Sequence, residues 1–180
     1  HAVCNKISKL SYVFRVLGNY VKSIQIHELY YAFVFPHIYH GIDVYGNCNR
    51  TIMHHLQVAQ NNLLRILLQK NRRSSATEMH KQLNLLKVID VHDVAVLTFV
   101  YKQRHNLLPE VFTDYYHIVS ERATRSRTNN DLHIEYCRTS GIMKAIKISG
   151  AKMWNLLPSH IKDAQNIYQF KKMVKCFKKC

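Results

Sequence analysis

Acidic residues are in short supply in this chain. Eleven Asp and Glu face twenty-six Lys and Arg, which leaves a formal charge of +15 and a pI near 9.7. No two aspartates are adjacent, and the six present are scattered as Asp43, Asp90, Asp93, Asp114, Asp131 and Asp163. Metal-dependent nucleotidyl transfer needs carboxylates that hold two cations about 4 Å apart, so no such centre is visible. Glycine is rare as well, with five in the chain, and none of the patterns G-x-x-x-x-G-K-[ST], G-x-G-x-x-G, G-x-S-x-G or H-E-x-x-H occurs. Phosphate-cradling loops are thereby nearly excluded. The five cysteines, Cys4, Cys48, Cys137, Cys176 and Cys180, form no C-x-x-C pair and are odd in number. That argues against a disulfide scaffold and a cysteine-rich zinc site, and it fits a reducing compartment. No charged head, apolar run and small-residue cleavage site marks a secretory signal, and a chain opening on His1 reads as a piece of something longer. The most apolar stretch, between Glu28 and Asp43, is shorter than the roughly 20 residues a bilayer crossing needs.

What is present suffices for a core: 47% of residues are hydrophobic, with seven Phe and eleven Tyr. The organising segment is LYYAFVFPHIYHGIDVYG, Leu29 to Gly46. Phe35, Ile38, Tyr39, Ile42 and Tyr45 share a helical face, His37, His40 and Asp43 fall on another, and Pro36 should kink the helix. Leu29 to Phe35 is apolar on all sides and is expected to be enclosed by other helices. Upstream, Val3, Ile7, Leu10, Phe14 and Leu17 predict an amphipathic helix, ended by Gly18 and Asn19, that pairs with the organising segment as a hairpin. Downstream, Thr51 can cap a helix with the stripe Ile52, Leu56, Ala59, Leu63, Ile66 and Leu67, leaving Gln57, Asn61 and Arg65 outside. Ser75 with Glu78 has the form of a capping box for a short helix from Ala76 to Leu83. Asp90 can cap the next, where Val91, Val94, Ala95, Thr98 and Tyr101 share a face; Asn106 and Pro109 end it, and Pro109 starts one more turn through Phe112. Residues 120–131 form a basic loop without apolar periodicity. Alternation at Leu132, Ile134 and Tyr136, and again from Lys144 to Ile148, predicts a two-stranded β-ribbon. Trp154 sits in a short helix halted by Pro158, and a last helix carries Phe170, Met173, Val174 and Phe177 on one face with lysines on the other. The fold class is mainly α: a helical bundle over 1–112, a basic linker over 113–131, and a C-terminal region over 132–180 with a small β-ribbon and a basic amphipathic helix.

Basic residues cluster as Lys70, Arg72 and Arg73, as Lys102 and Arg104, as Arg122, Arg125 and Arg127, and as the terminal lysines Lys171, Lys172 and Lys175. Such clusters make sequence-independent phosphate contacts, so the charge balance points to nucleic acid first and an anionic membrane second. Histidine is abundant, with twelve in the chain, and His37, His40, His54 and His55 are near neighbours in sequence. No Cys or carboxylate completes a metal site at a recognisable spacing, and chance pairs are expected at this frequency. Trp154, flanked by Met153, Leu156 and Leu157, reads as a packing residue rather than a base-stacking one.

In order along the chain, KISKLSYVFRVL, LYYAFVFPHIYHGIDVYG, LQVAQNNLLRIL, FVYKQRHNLLPEVF and WNLLPSHIKDAQNIYQFKKMVK resemble the C-terminal part of reverse transcriptases from non-LTR (LINE-type) retrotransposons, the jockey-like group in particular. The most specific pieces are Pro36 through Gly46, which follow P-x-x-x-[YH]-G-x-x-x-[WY]-G; Leu56, Gln57, Gln60 and Arg65; Asn106, Leu108, Pro109 and Phe112; and Trp154, Asn155, Leu157, Pro158, Phe170 and Lys171. The resemblance implies a thumb-like bundle and the segment after it, downstream of the polymerase palm. It implies partners as well: an RNA template, a DNA primer, and the palm and fingers of the same polypeptide, with no membrane. The paired catalytic aspartates and the Mg2+ they hold would belong to a palm before His1, so this chain should be inactive alone, and no cofactor is expected in it. Neither the endonuclease nor a cysteine-histidine knuckle has a counterpart in the sequence.

The expected function is therefore nucleic-acid grip within an RNA-directed DNA polymerase, through Arg65, Lys70, Arg72, Arg73, Arg122, Arg125 and Arg127, in the nucleus or cytoplasm. The alternative is a host-retained interaction module or a non-functional transposon relic, although the stripes Ile52 to Leu67 and Phe170 to Phe177 remain free of polar intrusions. A third reading, a histidine enzyme, would require stoichiometric zinc.

Overall fold

The computed structural model describes residues 2–17, 20, 23–47, 50–118 and 131–179, and within them the chain is mainly helical, as the periodicity predicts. Two compact units divide it, His1–Val91 and His92–Cys180. Their boundary falls inside the helix Val88–Arg104. That helix is apolar around most of its circumference, so composition does not change at the boundary.

In the first unit, α1 (Ala2–Leu17) buries Ile7 and Phe14, the centre of the predicted stripe. It touches the organising segment but packs chiefly on α5 (Arg50–Leu67), so an α1–α5 pair takes the place of the expected hairpin. The organising segment is not one helix. It comprises α2 (Ser23–Leu29), a π-helical turn (Tyr30–Val34), α3 (Phe35–Tyr39) and α4 (Ile42–Tyr45). Pro36 has no N–H to donate, and the chain widens just before it, with the Phe35 N–H bonded five residues back to the Tyr30 carbonyl. Gly41, at φ +70°, ends α3 in the left-handed conformation, which costs glycine little. The buried row is Tyr30, Val34, Ile38 and Ile42, whereas Phe33 and Tyr39 reach the surface, so the segment has a wet face after all. On α5 Leu56, Leu63 and Leu67 of the predicted stripe are buried, but Met53, Gln60 and Leu64 complete it in place of Ile52, Ala59 and Ile66, and Ile52 is exposed.

Gln60 is fully buried and completely paired. Its Nε2 donates to the Tyr30 hydroxyl at 2.7 Å and to the Leu86 carbonyl at 3.0 Å, and its Oε1 accepts from Gln57 Nε2 at 2.9 Å. Gln57 Oε1 in turn accepts the Val88 N–H at 2.7 Å, serving as a remote cap for α7 (Val88–Arg104). His80, buried on α6 (Ala76–Gln82), lies 3.0 Å from Asn61 Oδ1 and 3.3 Å from the Leu85 carbonyl. Ser75 occupies the predicted cap position of α6 without forming the side-chain cap bond.

In the second unit, the predicted α7 face is buried, and Val96, Leu97, Val100 and Gln103 on its other sides are buried as well. A 3-10 turn (Glu110–Phe112) follows Pro109 as expected. The β-ribbon does not form among the described residues. Leu132 makes a single antiparallel bridge to Ile118, and the Asn155 side chain imitates a strand partner, donating to the Leu132 carbonyl at 2.9 Å and accepting its N–H at 2.8 Å. Of the second supposed strand, Lys144 and Ala145 form a turn after α8 (Ser140–Met143), and Ile146, Lys147 and Ile148 open α9 (Ile146–Asn155). The physical reason is the longer register: Ile148, Ala151 and Trp154 recur every three residues and are all buried, which outweighs a five-residue alternation. Trp154 packs against Phe170, with ring centroids 5.9 Å apart, and Phe170 stacks on Tyr101 at 4.4 Å, so the Trp is a core residue as predicted. Gly150 lets the Tyr116 hydroxyl approach the backbone, because a Cβ there would collide with it. Pro158 precedes α10 (Ser159–Lys162), and α11 (Ile167–Lys179) buries Phe170 and Val174 while Phe177 is exposed.

With glycine scarce, three helices end on Gln69, Asn84 and Asn106, each at φ near +50°. In each, the next residue's N–H returns to a carbonyl five positions back, as in Lys70 to Arg65, Leu85 to His80 and Leu107 to Lys102.

Replacing Gln60 by Leu leaves the Tyr30 hydroxyl and the Leu86 carbonyl buried without their partner. The expected loss is about 2–3 kcal/mol by urea denaturation, and a neutral result would contradict the network's role. Burial first, and the Lys87 ammonium after it, hold the His80 imidazole below its usual range against the opposing Leu85 carbonyl bond. The unfolded chain therefore binds this proton more tightly. Stability is fully present above about pH 6.5 and declines as pH falls toward the folded value, and His80→Gln should flatten that decline.

Candidate nucleic-acid interface

Three of the predicted basic residues converge in the first unit. At its C-terminal end α5 carries Asn62, Arg65, Ile66 and Gln69, and the turn that follows adds Lys70 and Arg72. Together they line a cleft of about 520 Å3. Packing of α1 on α5 brings a fourth cation, Arg15, into the same wall. No carboxylate lines it.

Arg65 is fixed in place: its Nη2 donates to the Ser74 carbonyl at 3.2 Å and its Nη1 to Asn62 Oδ1 at 3.1 Å. It thereby ties the turn back to the helix while keeping its charge beside the cleft. Arg15, Lys70 and Arg72 are exposed and form no ion pair among the described residues. Arg73 is exposed in the same turn but does not line the cleft. This geometry suits phosphate oxygens, with guanidinium forks and one mobile ammonium around a concave surface.

In the second unit, Lys171 of α11 lies within electrostatic reach of Lys102 of α7 and of Lys175, one helical turn on. Partial burial, then the Lys102 and Lys175 charges, hold the Lys171 ammonium below its ordinary range. Two clusters separate in sequence thus form one basic strip. Lys172 is exposed elsewhere on α11, and Arg104 turns away to lie over the Trp154 ring. Arg122, Arg125 and Arg127 lie outside the described residues. Three acidic residues serve internal pairs: Asp93 with Lys178 at 2.6 Å, Asp131 with the buried Lys162 at 2.8 Å, and Glu135 with Lys147 at 2.6 Å. Burial raises the Asp93 carboxyl, and its bonds to His92 and Lys178 outweigh that and leave it below the usual range.

Arg15 was not singled out from the sequence as a contact, because it lies on another helix, far from the other cations in sequence. Its place on the flank of the α1 stripe was the available signal. Among the described residues, no group of three or more His, Cys, Asp or Glu is placed to hold a metal ion, and no helix is long and apolar enough to cross a membrane. Cys4, Cys137 and Cys176 are free thiols. Comparison with known proteins finds no matching family model, no matching curated protein and no matching solved structure.

Four like charges around one cleft oppose folding. Arg72→Gln should raise stability at low salt by about 0.2–0.5 kcal/mol, a gain that fades as salt screens the cluster. Paired urea denaturations at low and high salt measure this; an equal effect at both would show that the cations do not interact.

Proposed function

We propose that this chain is the template- and primer-gripping C-terminal part of a reverse transcriptase similar to those of non-LTR retrotransposons. The observation that carries the binding role is the cleft of Arg15, Arg65, Lys70 and Arg72, concave, cationic and without a carboxylate in its wall. Its ligand is the phosphodiester backbone of an RNA template paired with a DNA primer, held without base readout. The strip of Lys102, Lys171 and Lys175 adds contacts, as do Arg73, Lys172, Arg122, Arg125 and Arg127. Nucleotide addition, with its Mg2+, belongs to a palm outside this chain, so the chain alone grips a primer without extending it. The setting is a reducing intracellular compartment, nucleus or cytoplasm. Support for the polymerase context is the block-by-block resemblance from Lys6 to Lys175. The completed pairing around Gln60 favours a folded, working element over a decayed relic.

Binding to a primed RNA template should fall by about three to five decades between about 50 and 200 mM salt if roughly six to ten phosphates are engaged. Reversing charge at Arg15 and Arg72 together should lower the logarithmic salt slope by about two. Fluorescence anisotropy with a labelled template reads both. Salt-insensitive binding, or an unchanged slope in the double variant, would contradict the proposal.

A further inference from the structure

Arg104 does not join the basic strip, and its surroundings explain why. It stands in the last turn of α7, half-buried, with its guanidinium carbon 5.7 Å from the centre of the Trp154 ring. An arginine at a helix end usually satisfies the terminal carbonyls. Here those carbonyls are already taken: Tyr101 by the His105 N–H, Gln103 by Asn106 and Lys102 by Leu107. Among the described residues Arg104 has neither a hydrogen bond nor an ion pair, although its guanidinium carries five N–H donors. Burial pushes the guanidinium below its ordinary range, as desolvation without an anion must.

The group borders a pocket of about 260 Å3, lined also by His105, Trp154, Lys162, Asp163, Ala164 and Gln165. That volume is several times the roughly 30 Å3 share of one liquid water. Lys162 is buried and neutralised by Asp131 at 2.8 Å, so it shapes the wall without leaving net charge. Asp163 lines the same pocket yet forms no ion pair with Arg104. Arg104 is therefore a cation without an ion-pair partner, held over the Trp154 ring, and the Asp163 carboxylate in the same wall is the one group there that opposes an anion.

We propose that this pocket binds a single phosphate group, with Arg104 as the recognising fork and the Trp154 ring as its support. A phosphate offers oxygens to Arg104 and to the exposed His105 ring together, whereas a carboxylate has two oxygens and leaves donors unmet. The phosphate is either a free phosphate or the terminal monoester of a nucleic-acid strand, and both present the same oxygens. The assignment rests on residues of the second unit alone and not on the polymerase reading.

Trp154, the only Trp of the chain, is a built-in reporter. Titration of the full chain with inorganic phosphate at constant ionic strength, held with chloride, should change Trp154 fluorescence saturably. Arg104→Gln should weaken this by about tenfold or more, and Arg104→Lys, which keeps the charge over the ring but loses the fork, by less. An unshifted emission maximum in Arg104→Lys verifies that the core stays folded. The pair Arg15→Glu and Arg72→Glu should leave the phosphate response intact even where it abolishes template binding, so the two proposals fail separately. Tighter binding of a 5′-phosphorylated oligonucleotide than of its 5′-hydroxyl twin, lost in Arg104→Gln, assigns the site to strand ends; equal binding of the two, with the phosphate response present, assigns it to free phosphate. No saturable response, an equal response to acetate, or an undiminished response in Arg104→Gln would overturn the proposal.

Discussion

The first unit depends on one buried amide. Gln60 joins the π turn, through the Tyr30 hydroxyl, to the strand of chain entering α7, through the Leu86 carbonyl, and Gln57 beside it caps α7. A polar side chain removed from water is costly unless every donor and acceptor finds a partner, and this one does. The network rewards one register of α5 and penalises its neighbours. That register sets where the end of α5 points, and therefore where Arg65, Lys70 and Arg72 lie in relation to Arg15 on α1.

Charge is distributed by a parallel logic. In the second unit carboxylates are spent on structure: Asp93 holds the end of α11 to α7, Asp131 neutralises the buried Lys162, and Glu135 meets Lys147. With so few acids available, most of the surplus cations remain uncompensated. They gather at the cleft of the first unit and along the Lys102, Lys171 and Lys175 strip of the second. A like-charged surface of this kind is unfavourable for the free chain and favourable once a polyanion releases its counterions onto solution.

Much of this was legible in the sequence. The helices α1 and α11 follow from one-sided apolar spacing, which a 3.6-residue period betrays directly, and α6 from the Ser75 and Glu78 pattern. Burial of Trp154 was legible from its apolar neighbours. Three features were not. Gln60 looks like a surface residue because an amide carries no sign of whether its partners are water or protein, and the predicted α5 stripe takes Ala59 in its place. The alternation at Lys144 to Ile148 is equally the opening of a helix, and only the continuation through Ala151 and Trp154 decides between them. Arg15 joins the cleft through a tertiary contact between α1 and α5, and Arg104 leaves its linear cluster for the Trp154 ring; neither move is visible in a list of basic residues.

The central claim is that the cleft and the strip are where nucleic acid lies. Lysine acetylation of the full chain, read residue by residue by mass spectrometry with and without a primed RNA template, tests it most directly. Lys70, Lys102, Lys171 and Lys175 should react several-fold more slowly in the complex, while the exposed Lys81 and Lys87 keep their rates. Uniform slowing across all six, or protection confined to Lys81 and Lys87, would contradict the claim.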